Sequence, residues 1–467
     1  MSLFGAPLAV LNVGLKAFAE TVAASGAPAL EIEWAPPAGG DAAVARALAH
    51  LVNEPAVEAA NKTAYGRYLA AEPILDGIAL ARDAIPGLGK RTILHAGPPI
   101  EWARMCGPMQ GAIVGAILYE GWADDAAEAE TLAARGKIQF APCHHYRAVG
   151  PMAGIVSPSM PVWIVRDGAG GGVAYSNLNE GLGKALRFGA NGPEVIARLK
   201  WMAKTLRPAL ASALETLGSL PLKPLIAQAL NMGDEVHNRN AAATGLFLKR
   251  LVPAMLASKA SRARVQEAVA FIAGNDHFFL NISMAACKAM LDAARGVAHS
   301  SLVVAMARNG VEFGIQLAGT EARWFTAPAP VVDGLLFPGY TKADAAPDLG
   351  DSAITETAGL GGFAMAAAPA IVSFVGGTPE DALANTERMA HIVLGRNGAF
   401  TLPPLSFAGS PAGIDARRVV DTGILPVINT GIAHRAAGIG QIGAGITAAP
   451  LACFAQAVEA LAASAGG

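Results

Sequence analysis

Two segments of this chain, Thr357 to Pro379 and Ala436 to Val458, each run for about 23 residues without a charged side chain. Such a stretch must either cross a membrane or be shut inside protein. Both are dense in Gly and Ala, and Pro369 and Pro450 interrupt them near their middles. A spanning helix wants about 20 strongly apolar residues in a row, so these read instead as buried strand–turn–helix pieces, with no membrane span expected. The whole chain shares this bias, being 15% charged and 53% hydrophobic but only 6% aromatic. Its cores must therefore be lined by Ala, Val, Leu, Ile and Met. So much apolar surface with so little charge has to be hidden between domains or subunits, and a homo-oligomer or a component of a complex is expected.

A length of 467 residues accommodates roughly two to four domains. The net charge of −2 and pI near 6.5 argue against a nucleic-acid groove or a membrane-surface patch. Four cysteines (Cys106, Cys143, Cys287 and Cys453) stand far apart with no CxxC pair, which fits a reducing cytoplasm and no disulfide framework. The opening MSLFGAPLAVLNVGLKAF has no basic region ahead of its apolar run, so no signal peptide is expected.

The pattern along the chain predicts a mixed α+β fold of several domains. Residues 7–34 read as strand, turn at Gly14, helix, Gly26 and strand, a βαβ unit with a right-handed crossover. An N-terminal α/β unit is assigned to 1–90, helical from about 41 to 87. Residues 91–189 form an α+β domain whose short apolar runs alternate with Gly-Pro breaks. Residues 190–262 form an inserted helical subdomain, with Val195, Leu199, Met202 and Leu206 on one stripe. A C-terminal α+β domain takes 263–467.

Polar residues gather at a few places. In GDEVHNRN (233–240), helical geometry would pair Glu235 with Arg239 and put His237 and Asn240 on another face. An Arg fork suits a carboxylate or phosphate, and Asn238 and His237 offer donors for an amide. The plainer alternative is an exposed helix with an ordinary ion pair. In PCHHYRAVG (142–150), adjacent strand residues point to opposite faces, so His144 and His145 are not expected to share a metal. Either could carry a proton or donate to an oxyanion, and Arg147 could hold an anion. In GNDHFFLNISMAACKAM (274–290), Asn275 or Asp276 could cap a helix, with His277 and Asn281 facing a cleft. In GDSAITETAGLGG (350–362), Asp351 and Glu356 precede Gly359, Gly361 and Gly362, whose backbone N–H groups could cradle phosphate; close packing of small residues is the alternative. GIGQIG (438–443) matches G-x-G-x-x-G, but no clean strand abuts it and too few residues follow for a dinucleotide fold. A binding loop carrying Asn429, Thr430 and His434 is the better reading. No G-x-S-x-G, P-loop, H-E-x-x-H or C-x-x-C occurs, and no cofactor or metal is expected.

These strings, together with HAGPPIEWARMCGPMQGAIVGA and INTGIAHRAAGIGQIGAG, resemble the YlbE/AllG family from about residue 8 to the C-terminus. The resemblance implies one subunit of an oxamate carbamoyltransferase in allantoin and purine breakdown, converting oxalurate and phosphate to oxamate and carbamoyl phosphate. It implies an FdrA-like partner subunit and a smaller third subunit. The Ser-Thr-Arg-Thr-Arg phosphate motif of ordinary carbamoyltransferases is absent. Joined to the residues above, the expectation is one enclosed hollow. Arg147, Arg239 and the glycine turn would hold anions, Asn238, Asn275 and Asn281 would bind amides, and His144, His145 or His237 would move the proton. The rivals are a non-catalytic scaffold subunit, a metal-dependent amidohydrolase using His144, His237 and Glu235, and an acyl-CoA enzyme.

Overall fold

A computed structural model describes residues 10–32 and 36–465 and shows a mixed α+β protein with several sheets. The N-terminal unit is a strand Val10–Val13, a helix Lys16–Ala24 and a strand Ala29–Ile32, paired parallel in a two-stranded sheet. This is the expected βαβ unit. Helices Ala42–Asn53 and Pro55–Ala70 follow, and Asp41 starts the first by accepting the N–H groups of Ala43 and Val44, an ordinary N-cap.

The helical reading of 41–87 ends early, because Pro73–Leu80 is a strand. Ile74, Leu75 and Ile78 suit a pleated surface better than a helix, and Pro73 sits at the strand's first position, where a missing N–H does no harm. Asp76 is an extra residue against the partner strand Pro161–Asp167, a bulge that turns its carboxylate to Arg166 at 2.5 Å. This strand is fourth in a five-stranded sheet ordered Ala148–Val149, Val173–Asn177, Pro161–Asp167, Pro73–Leu80 and Leu220–Pro221.

Across that sheet lies the helix Leu280–Ala293, in contact with four of its strands. Residues Leu280 to Leu291 of this helix are all buried, Asn281, Ser283 and Lys288 included. Against its other side pack the helix Pro55–Ala70 and the short helix Ile354–Thr357. A second, antiparallel sheet runs Phe325–Pro328, Glu312–Leu317, Val303–Asn309 and Leu349–Gly350. Helix Leu451–Ala465 covers it around Phe313, Ile315 and Phe454, and helix Ala42–Asn53 packs against that helix.

The segment 190–260 is mostly helical, as expected, broken by the strand Leu220–Pro221 and a loop at 232–240, and Val195, Leu199, Met202 and Leu206 are all buried. Both charge-free segments are largely inside, apart from the exposed ends at 377–379 and 436–439. The first forms short turns and the helix Val372–Val375; the second completes a hairpin and begins the last helix. No helix among the described residues is long and apolar enough to cross a membrane. The sequence GIGQIG runs from the turn into the strand Gln441–Ala448, which forms an antiparallel hairpin with Val427–Ala433. The absence of a flanking strand is thus corrected, while the geometry is still not that of a βαβ turn.

Candidate functional site

The strand Gln139–Pro142 passes into a single 3-10 turn, Cys143–Tyr146, rather than staying extended through the histidines. Arg147 then adopts φ 54°, ψ 22°, a left-handed conformation that a side chain tolerates only when its surroundings enforce it. The turn puts His144 inside and leaves His145 and Arg147 exposed. Opposite stand Lys288 and Asp292 of the helix Leu280–Ala293, then Arg295 and Gln316. Together they line an open cleft of about 610 Å³.

Its walls hold one another in place. Asp292 accepts from Lys288 Nζ at 2.6 Å and from Arg295 Nε at 2.5 Å, and Arg295 Nη2 donates to Gln316 Oε1 at 2.7 Å. Trp324 Nε1 donates to His145 Nε2 at 3.1 Å, so the proton of a neutral His145 sits on Nδ1. The Trp324 ring stands edge-on to His144, centroids 5.5 Å apart. His144 is buried, and neither of its ring nitrogens has a hydrogen-bond partner. Its Nε2 is 3.6 Å from Asp351 Oδ1. Asp351 is itself fixed by two loops, accepting from the backbone N–H of Gly97 at 2.9 Å and of Gly150 at 3.1 Å. Gly97 has φ 83°, and a Cβ there would strike the backbone of Arg308 and Asn309, so this donor needs glycine.

The electrostatics follow from burial. Burial, then Lys288 and Arg295, push His144 well below the ordinary imidazole value, which keeps it neutral. Burial lifts Asp351 to about 7, against the pull of the two backbone donors, Arg308 and Lys288. Burial lowers Lys288 to about 8, with Asp292 resisting. For Asp292, burial raises the carboxyl, but Lys288 and Arg295 outweigh it and hold it low. Arg147, Lys288 and Arg295 set against Asp292 leave the lining with a net of two positive charges. Such a concave surface draws small anions, and the neutral imidazole of His144 lies buried in its wall.

A second polar group lies deeper and is closed. GDEVHNRN is a loop, not a helix, because Val236 takes φ 63°. The carboxylate of Glu235 accepts from the backbone N–H of His237 (3.1 Å) and Arg239 (2.6 Å) instead of pairing with the Arg239 guanidinium. Arg239 Nε donates to Gly233 O at 2.9 Å and lies 3.6 Å from Asp234. His237 Nδ1 meets Glu356 Oε1 at 2.7 Å, and that oxygen also accepts from Gly362 N at 2.9 Å and Asn429 N at 3.3 Å. Gly361 N donates to Glu235 O at 2.8 Å, and Gly359 N to Glu356 O at 2.9 Å. The glycine turn is therefore not an open phosphate cradle; its N–H groups serve the protein's own oxygens. A Cβ on Gly361 (φ 54°) would enter the Glu356 carboxylate. Burial, with Glu356 nearby, raises Glu235 well above the usual carboxylate range.

Beside this group is a cluster of amides. Asn281 Oδ1 accepts from Asn179 Nδ2 at 2.9 Å, and its Nδ2 donates to Asn177 Oδ1 at 2.6 Å. Asn275 donates to Asn179 O at 3.2 Å. Asn275 does not cap the helix; its Oδ1 accepts from His277 N, ahead of a helix that begins at Leu280. Burial, with Arg187 and His237 nearby, lowers His277 to about 3. Asn238 is buried with Nδ2 unpartnered, as are both side-chain atoms of Asn429.

The single hollow expected from the sequence is thus resolved into neighbouring centres. His144, His145, Arg147 and Asp351 meet at the cleft. Glu235, His237, Asn238, Glu356, Gly361 and Gly362 meet in the closed core, and Asn275 and Asn281 in the amide cluster. Gly359 packs against Pro411 and Ala412. His434 belongs to none of these, since its Nδ1 accepts from Ala436 N at 2.9 Å on the hairpin turn, beside Tyr340. Sequence reasoning missed Lys288, Asp292, Arg295 and Gln316. The signal was a lone lysine on an apolar helix, spaced four from an acid that is three from an arginine. Among the described residues no group of three or more His, Cys, Asp or Glu is placed to hold a metal ion.

The family profile described as oxamate carbamoyltransferase subunit AllG matches residues 138–352, which span both walls of the cleft and Asp351. The Escherichia coli K12 oxamate carbamoyltransferase subunit AllG is 51% identical over 378 residues, 80% of this chain and 90% of that protein. The uncharacterized protein YahG of the same strain is 47% identical over 460 residues, 98% of each chain. A crystal structure of a conserved protein of unknown function from Enterococcus faecalis V583 superposes with TM-score 0.86 at 48% identity, covering 87% of this chain and 98% of that one. On this similarity, the chain belongs to the AllG family.

Proposed function

We propose that the chain is a subunit of an oxamate carbamoyltransferase and that the cleft between residues 144–147 and 288–295 receives oxalurate for attack by phosphate. The observation that carries this reading is the pairing of excess positive charge with an unpartnered, neutral His144 at the cleft wall. The name of the AllG relative supplies the reaction class. Oxalurate presents a carboxylate and a ureido group, and the nucleophile is an oxygen of phosphate. That oxygen attacks the ureido carbonyl carbon, and the carbon–nitrogen bond to the oxamate nitrogen breaks. Arg147 and Arg295 hold the anionic groups, with the bidentate fork suited to carboxylate and phosphate. Lys288 Nζ faces the negative charge that develops on the carbonyl oxygen. His144 takes the proton released by the attacking phosphate and returns it to the leaving nitrogen. Asp351, its carboxyl raised by burial, stands 3.6 Å from that imidazole and can take up a hydrogen bond to it once the ring is protonated.

An FdrA-like subunit and a smaller third subunit are proposed to complete the enzyme. The test is carbamoyl phosphate formation from oxalurate and phosphate by the purified chain, alone and after reconstitution with those two partners. The reconstituted complex should form product, and His144→Gln should lower its rate by about 100-fold or more, the scale of a lost proton carrier. A complex that forms no carbamoyl phosphate, or one indifferent to His144→Gln, contradicts the reading.

A further inference from the structure

Beyond the cleft already described lies a second chamber of about 480 Å³, and the two share Arg147 and Asp292 as lining residues. Its walls are short, with Ala169, Gly170, Gly172, Ala289 and Ala293 among them, so space is left open beside the arginines. The cations on its lining are Arg67 and Arg147, and neither forms an ion pair among the described residues. Its two acids, Asp292 and Asp167, are each engaged through one carboxylate oxygen. Asp292 is bound by Lys288 and Arg295, while Asp167 is buried and accepts from Glu72 N at 2.7 Å and Ala169 N at 3.0 Å.

We infer that this chamber is a second oxyanion subsite, held by Arg67 and Arg147, that binds inorganic phosphate while the first cleft holds the planar carboxylate substrate. Arg147, exposed and fixed in its left-handed conformation at the boundary, serves both anions. Two guanidinia without ion-pair partners in a concave surface favour an oxyanion. The choice of phosphate as occupant rests on the carbamoyltransfer reading; the existence of two anion sites does not. Two adjoining sites put nucleophile and acceptor carbon side by side, which is how a direct transfer gains from proximity. The consequence is a ternary complex, with both anions bound before any bond changes.

The test is titration of the full chain with inorganic phosphate, without and with saturating oxamate, repeated for Arg67→Gln and Arg295→Gln. Both changes are at side chains at least partly exposed to solvent, so folding should survive, and circular dichroism checks it. Phosphate should bind equally well, within twofold, with or without oxamate. Arg67→Gln should weaken phosphate by at least tenfold and leave oxamate within twofold, while Arg295→Gln does the reverse. Competition between phosphate and oxamate, or an unchanged phosphate affinity in Arg67→Gln, overturns the subsite. If both anions bind as described yet the reconstituted complex makes no carbamoyl phosphate, the subsite stands and the carbamoyltransfer reading falls.

Discussion

Lys288 shows how much one buried residue decides. Its ammonium is 1% exposed, next to Asp292, and burial lowers it to about 8 from 10.5. Two consequences run in opposite directions with pH. Between about 8 and 10.5 the unfolded chain binds the proton that the folded chain has lost, so stability rises with pH across that window. Anion affinity does the reverse, since a cation of the cleft is discharged. Oxamate binding should therefore weaken as pH rises through about 8, by roughly tenfold or more for one charge-assisted contact, and Lys288→Met should abolish the inflection. Titrations across pH check this; an inflection that survives in Lys288→Met removes the residue from the site. At this scale the sequence was half legible. His144, Arg147 and Asp351 stand out as polar residues in apolar strings, whereas Lys288 looks like an unremarkable member of a helix. The spacing of Lys288 to Asp292 and Arg295 is a local mark, but its burial has none, because the sheet and the helix Pro55–Ala70 that cover it come from distant parts of the chain.

Among the elements, the helix Leu280–Ala293 connects the amide cluster to the cleft. Asn281 and Lys288 are seven residues apart, two turns and about 10 Å on nearly one face. Asn281→Leu should cost about 2–4 kcal/mol, since Asn179 and Asn177 would each lose a buried partner and an orphaned polar group costs about 1–3 kcal/mol. Denaturant unfolding measures it. A loss below about 0.5 kcal/mol would show that the amides find other partners. The helix itself was readable from its apolar run. Its start was not, because Asn275 and Asp276 look like caps but belong to the turn before it. GDEVHNRN failed for a related reason. Its i to i+4 spacing allows a helix, yet Glu235 satisfies the backbone N–H groups of His237 and Arg239 and so fixes a loop, with Val236 in a conformation rare for a β-branched residue. Side-chain-to-backbone competition of this kind is invisible to periodicity.

For the whole molecule, charge scarcity was the most informative feature. Both charge-free segments are largely interior, and buried polar residues make up the cleft wall, the closed core and the amide cluster as well as other networks, among them Asn61, Ser300, Ser301 and Asp415, and Arg308 with Asp348. The N-terminal βαβ unit was legible because its strands, helix and glycines are contiguous, whereas of the sheet that draws strands from 73 to 221 the apolar run Val162–Val165 was readable as strand and Pro73–Leu80 was not. The unit leaves Leu11, Leu15, Phe18 and Leu30 more than half exposed, apolar surface in keeping with a subunit of a larger assembly. The account as a whole rests on the open cleft, not the closed core, being where substrate binds. A crystal of the chain soaked with oxamate tests that most directly. Oxamate should lie between His144 and Arg295, its carboxylate within hydrogen-bond distance of Arg147 or Arg295. Oxamate found instead against His237, Glu356 and Asn429, or a cleft left empty at saturating concentration, would contradict it.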